Sequence, residues 1–177
     1  MADDIDDDLK RIQELRLEHK SRTRTISYNA MSMKEAGRWD DVEKFLGRND
    51  VIGISGTCTR AKPAQQYTVR TQGKFEVIEW GYITGKPFTN PKCGVAIMLS
   101  KKKFPRSTWR TIYSPIQTVA GRIGAVRIRV NSIDVCFISF YSPIEPDNEK
   151  GREQVSNVTW SLKSLFKRCL TDVFPSY

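Results

Sequence analysis

Histidine is almost absent from this chain: there is one, His19, in the leading segment. An imidazole that draws a proton from water needs a partner carboxylate and a cleft. Neither is suggested around residue 19, so His19 is expected to be solvated. Glycine-rich phosphate cradles are missing too. Neither G-x-x-x-x-G-K nor G-x-G-x-x-G occurs, which excludes the common nucleotide-binding loops. No apolar run approaches the ~20 residues needed to cross a bilayer. The acidic start, MADDIDDDLK, is unlike a signal peptide, which wants a basic beginning before an apolar stretch. A soluble, intracellular protein, nuclear or cytoplasmic and without membrane contact, is the expectation. The cysteines are few and scattered, at Cys58, Cys93, Cys136 and Cys169. They form no metal-ligand spacing and no secreted framework, so reduced, buried thiols are expected.

What is present is cation and strand. The 177 residues suit one domain or most of one. The net charge is +9, and the segment through residue 24 contributes slightly negative charge, so the body is more basic than the whole. A basic body favours a polyanionic partner, DNA or RNA before membrane, because Lys and Arg displace condensed counterions. The densest basic run is Lys101 to Arg110, KKKFPRSTWR, with Phe104 and Trp109 interleaved. Aromatics among cations suit nucleic-acid contacts, and a solvated connector fits the same pattern. Lys101, Lys102, Lys103, Arg106 and Arg110 are the candidates here.

The strongest patterning runs from Gly121 to Pro143. Val126, Ile128 and Val130 alternate with Ala125, Arg127 and Arg129, which predicts a strand with one buried and one reachable face. Arg127 and Arg129 join the nucleic-acid candidates on that account. After a reversal at Asn131-Ser132, the near-continuous Val135 to Phe140 predicts a central strand covered on both faces. The strand stops at Pro143, leaving Tyr141 at the sheet rim, where it either packs or carries chemistry.

Upstream, residues 3 to 20 read as a thin amphipathic helix or a disordered leader (1–23), with the globular part at 24–177. Arg24 to Ala30 predicts a short strand. Ser32 to Glu35 fits a capping box opening a helix through Trp39, Val42, Phe45 and Leu46, and Gly47 ends it. Val51 to Ile54 then completes a strand–helix–strand crossover. Arg60 to Gly73 reads as a polar connector, Phe75 to Tyr82 as a strand with one wet face, and Thr84 to Lys92 as a loop. Cys93 to Ser100 reads as a buried strand, and residues from Val155 to Val173 as an amphipathic helix.

In order, these strand ends are Tyr28-Asn29, D-V-I-G-I-S-G-T (Asp50–Thr57), C-G-V-A-I-M-L-S (Cys93–Ser100), and G-R-I-G-A-V-R-I-R leading to F-I-S-F-Y-S-P. Together they resemble the endonuclease/exonuclease/phosphatase superfamily, the DNase I-like fold. Within it they look most like the endonuclease domains that precede reverse transcriptases in non-LTR retroelements. The resemblance covers about residues 24 to 170. It implies a four-layer α/β sandwich of two facing mixed sheets flanked by helices, of which about the first two-thirds is present here. It implies a Mg²⁺-dependent phosphodiester hydrolase, with Asn29 and Tyr141 matching the family's phosphate-handling asparagine and tyrosine. It also exposes departures. The family's Q-E-T motif reads Ser55-Gly56-Thr57 here, so no metal ligand is expected at Gly56. The later G-D-x-N and S-D-H motifs are not found. The chain is therefore expected to be the opening portion of such a domain, part of a longer polyprotein, and incapable of cutting alone. The alternative is a non-catalytic basic nucleic-acid-binding module. An inner sheet face without its facing layer, leaving a large apolar patch, is expected as well.

Overall fold

A computed structural model describes residues 22–61, 66–85, 92–130, 133–142 and 149–171. The leading helix expected over 3–20, the Asn131-Ser132 reversal and most of the Thr84–Lys92 loop lie outside these residues. Among the described residues, eight strands and two α-helices follow in order: β1 (Thr25–Asn29), α1 (Arg38–Leu46), β2 (Val51–Ser55), β3 (Thr68–Gln72), β4 (Phe75–Trp80), β5 (Val95–Ser100), β6 (Trp109–Tyr113), β7 (Ile123–Val130), β8 (Ile133–Phe140) and α2 (Glu149–Thr171). They form a five-stranded sheet, β1-β2-β5-β4-β3, and a three-stranded sheet, β6-β7-β8. The first is mixed, because β1 and β2 run parallel while the other pairs are antiparallel. The three strands of the second are antiparallel.

Alternation along each strand explains the layers. Odd and even side chains leave opposite faces, so Ile52, Ile54, Phe75 and Val77 meet Val42, Trp39 and Leu46 of α1 on the outside of the first sheet. The other face sends Ile78, Trp80, Ile97 and Leu99 against Val126, Ile128 and Phe137 of the second sheet. Ile123 and Ala125 then pack on Val158, Leu165 and Cys169 of α2. The expected helix–sheet–sheet–helix stack is what the chain forms. Each fully buried aliphatic here stabilises it by ~1.5–3 kcal/mol.

Several local expectations are corrected. The capping box is not made: Ser32 Oγ accepts the Lys34 amide at 3.3 Å, and α1 starts after Gly37, whose φ of 82° turns the chain into the helix. The polar connector holds strand β3, because its Thr68, Val69 and Thr71 pair with β4 in a hairpin. β4 has no wet face. Glu76 is buried and bonded to Thr71 and Arg106. The roles within the Gly121–Pro143 pair are exchanged. β7 is the central, covered strand, while β8 is an edge with half-buried residues. The supposedly reachable Arg127 is 8% exposed and donates to both Asp134 oxygens, at 2.8 and 2.7 Å.

The bare inner face is corrected too, since the two sheets cover one another. What stays open is the side where edge strands β1 and β8 meet, a groove of about 640 Å³ containing Ile26, Phe137 and Phe140. The four cysteines are free, and Cys136 Sγ lies 2.9 Å from Cys169 Sγ, between β8 and α2. Burial and the neighbouring thiol hold Cys136 well above the ordinary thiol range.

The Arg127–Asp134 pair makes a specific expectation. Its side chains are 10% and 23% exposed, so the bidentate bond is partly dehydrated and its loss is costly. The Arg127 guanidinium holds Asp134 below the ordinary carboxylate range. Its contribution is thus complete above the unfolded pKa and is lost only as pH falls through the lower folded value. Asp134→Asn should reduce unfolding free energy by about 2 kcal/mol in urea titrations at pH 7. The deficit relative to the native chain should shrink below ~pH 4.

Candidate functional site

Parallel β1 and β2 end together, and the register Asn29↔Ser55 aligns their tips. The loop beyond β2 is tied into this rim by three backbone bonds: Met33 N to Thr57 O, Thr57 N to Gly94 O, and Gly94 N to Gly121 O. Ser139 of β8 reaches across the sheets, its Oγ donating to Ile54 O at 3.0 Å. Two residues later the Tyr141 amide donates to Arg122 O at 2.7 Å. These bonds put Asn29, Ser55, Gly56, Thr57 and Tyr141 at the same end of the two sheets.

Gly56 decides what this rim can hold. Its φ is +68°, and a Cβ there would lie 2.9 Å from Asn29 Oδ1. The backbone bends left-handed and lets the asparagine oxygen approach the bare Cα. Asn29 Oδ1 in turn accepts the Met31 amide at 3.3 Å. A second close approach lies behind it, where Gly94, at φ +137°, leaves room for Thr57 Oγ1.

A carboxylate near this loop, that of Glu79, is half-buried and turned toward Thr59. Thr59 Oγ1 donates to Glu79 Oε1 at 2.7 Å, and Thr59 shares a 2.9 Å hydroxyl contact with Thr57. Burial is the largest influence on Glu79 and pushes its pKa above the ordinary carboxylate range, against the Thr59 bond and the charge of Arg70. Among the described residues no group of three or more His, Cys, Asp or Glu could enclose a metal ion. Mg²⁺ wants an octahedron of hard oxygens anchored by one or two carboxylates. Asn29, Thr57 and Tyr141 supply no such anchor, so the described residues of the rim do not fit the ion that the resemblance implies.

Two cations at this rim went unnoticed in the sequence. Arg122, 3% exposed, lies 5.6 Å from the Tyr141 ring centroid and donates from Nη1 to Tyr141 O at 3.4 Å. A two-residue reversal at Asn131-Ser132 makes paired residue numbers share one sum, and Arg122 falls opposite Tyr141 by that count. The β7–β8 register follows it. Arg38 gave no comparable signal; its Nη2 donates to Ala30 O at 3.1 Å, beside the β1 tip.

The expected nucleic-acid residues do not gather here. β5 runs antiparallel to β2, so Ser100 and the turn after it stand beside Val51 and Asp50, at the opposite rim. At ~3.3 Å per strand residue the two rims are roughly 20 Å apart. Phe104 and Trp109 are core rather than base-stacking groups. Phe104 is 4% exposed and packs edge-on against Phe137, and Trp109 Nε1 donates to Phe104 O. Lys103 is bound to Asp50 and the Arg22 carbonyl, and Arg106 to Glu76. Arg127 is enclosed by its Asp134 pair. Lys101, Lys102, Arg110 and Arg129 remain exposed.

Two measurements check this geometry. Gly56→Ala should lower stability by about 1–2 kcal/mol, the cost of a side chain in the left-handed region, read as a lower urea midpoint. Because Glu79 has a folded pKa above its unfolded value, ionising it costs the folded state. Stability should therefore decline as pH rises from the ordinary carboxylate value through the folded one. Thermal melts of Glu79→Gln should lose that slope and lie no lower than the native chain at pH 8.

No protein-family model matches the chain, and no curated protein matches it. Solved structures do. The AP endonuclease LMAP from Leishmania major superposes with a TM-score of 0.58 and 11% identity, over 85% of this chain and 48% of that one. The endonuclease domain of TRAS1, a telomere-specific non-LTR retrotransposon, aligns at 0.38 and 16%, over 80% of this chain and 54% of that one. The chain thus spans about half the length of the structures it matches. The first of these superpositions shows the fold alone: two facing sheets flanked by helices, of the DNase I-like type.

Proposed function

We propose that the chain is the N-terminal portion of an endonuclease-like, phosphodiester-handling domain of the retroelement type, and that it does not cut nucleic acid by itself. The observation that carries this reading is the left-handed Gly56 pressed against Asn29 Oδ1. That backbone offers no carboxylate where a hydrolytic metal would need one, and it disfavours any side chain there. What the rim retains suits recognition of phosphate. Asn29 presents an exposed amide, and Tyr141 presents a phenol whose hydroxyl has no hydrogen-bond partner among the described residues. The Arg122 guanidinium beside the Tyr141 ring adds positive charge at the same place. None of these groups can activate water, since general-base work needs a proton acceptor of suitable pKa in reach.

A second reading is a basic module that binds DNA or RNA with no hydrolytic history in its present use. The +9 charge and the exposed lysines remote from the tips favour it. The two part on the strand tips: a phosphodiester-handling rim makes affinity for nucleic acid depend on Asn29 and Tyr141, and a module that binds through the remote lysines does not.

The test is supercoiled plasmid and an abasic-site duplex incubated with the chain and millimolar Mg²⁺ or Mn²⁺. No nicking above the protein-free blank is expected. Clear nicking that disappears in Tyr141→Phe or Asn29→Ala would falsify the proposal.

A further inference from the structure

Four turns of the five-stranded sheet converge at the rim away from the strand tips. They are the approach to β1, the α1–β2 connection, the β3–β4 turn and the turn after β5. Between them is an open hollow of about 480 Å³ lined by Arg24, Arg48, Lys74, Lys101 and Lys102. Its one lining carboxylate, Asp50, is already used: Oδ2 accepts the Arg24 amide at 2.9 Å and Lys103 Nζ at 3.3 Å. Glu43, nearby on α1, accepts the Lys74 amide. Arg24, Arg48, Lys101 and Lys102 are exposed and have no side-chain ion pair among the described residues. Like charges gathered in one hollow repel one another, and the single lining carboxylate is outnumbered by the cations around it.

The helix that leads into the hollow has an exposed aromatic near its end. Phe45 is 73% exposed in the last turn of α1, two residues before Gly47, which lines the hollow. Lys44 Nζ lies 5.8 Å from the Phe45 ring centroid. An exposed ring bordered by cations is the combination that holds a single strand, with phosphates in the charged groove and a base on the ring.

We infer that this hollow is a binding site for single-stranded nucleic acid, with the strand's phosphates among Arg24, Arg48, Lys101 and Lys102 and a base stacked on Phe45. It rests on the nucleic-acid reading above but not on the strand tips, which lie roughly 20 Å away along β2. A recessed hollow between four turns admits a strand, whereas a lipid surface meets only its rim. The site also assigns roles by location: Lys103 and Arg106 shape the rim through Asp50 and Glu76, while their neighbours are left for the ligand.

The experiment is fluorescence anisotropy of the whole chain with a 5′-labelled oligothymidylate of about 20 nucleotides, at several salt concentrations. Substituting Arg48→Ala, Lys101→Ala and Lys102→Ala together should weaken binding about tenfold or more and reduce the salt slope by about 2. Phe45→Ala should cost about fivefold at unchanged slope. Lys101→Arg with Lys102→Arg should bind like the native chain. Removing three exposed cations elsewhere, at Lys34, Arg152 and Lys163, should change affinity less than about twofold. Circular-dichroism melts verify that each variant is folded. Equal losses from both triple variants would mean net charge alone attracts the strand, which overturns the site. Binding that survives the hollow variants but is lost in Asn29→Ala/Tyr141→Phe moves recognition to the tips, sinking this inference and leaving the proposed function standing. Absence of any native-chain binding also sinks it. So does sedimentation with phosphatidylserine vesicles through these same residues when the oligonucleotide does not bind.

Discussion

Everything at both rims is positioned by the dry contact between the two sheets. Trp80, Ile97 and Leu99 on one side meet Val126, Ile128 and Phe137 on the other, most of them without solvent exposure. Such an interface is close-packed, so the strands cannot slide without opening voids. Ser139 pins the register across it by bonding to the Ile54 carbonyl. With the sheets fixed, strand direction alone determines which side chains can share a rim. Parallel β1 and β2 deliver Asn29 and Gly56 to one end, and antiparallel β5 delivers Lys101 to the other.

That separation of chemistries gives the molecule its character. At the tips, Asn29 is committed to a backbone amide, and the half-buried carboxylate of Glu79 accepts from Thr59. At the other end, positive charge is concentrated, and the acidic residues there serve amides and a single lysine. The DNase I-like architecture joins the two ends without requiring that both act on the same phosphate.

Much of the fold was legible because its signals were local. The Val51–Ile54 run, the buried Val95–Ser100 strand and the spacing along α2 are periodicities that any close-packed layer would impose. Asn29 and Tyr141 could be placed at strand ends because a helix follows one and proline the other. β3 escaped notice because Thr68–Gln72 is polar and becomes a strand through its hairpin partner rather than its own hydrophobicity. Arg127 was misjudged for a related reason. Alternation reads an arginine as wet, and only the pairing Arg127↔Cys136 with Asp134 two residues on supplies the carboxylate that lets it be buried. Phe104 and Trp109 were misjudged in the opposite direction, since nothing local says that a turn folds its aromatics under the sheet edge.

The four-layer order and the meaning of Gly56 rested on the resemblance; by itself the sequence determined a mixed sheet-and-helix class, the basic character and the polar strand ends. Those are properties of single residues and of spacing along one strand or helix. Tertiary structure alone decided that the basic turn lies across the molecule from the tips, that Arg122 sits on Tyr141, and that Phe45 rather than Trp109 is the ring left in water. Each of these depends on which strand pairs with which, and in which direction. Pairing is a long-range choice set by burying two sheets against each other, and no local pattern encodes it.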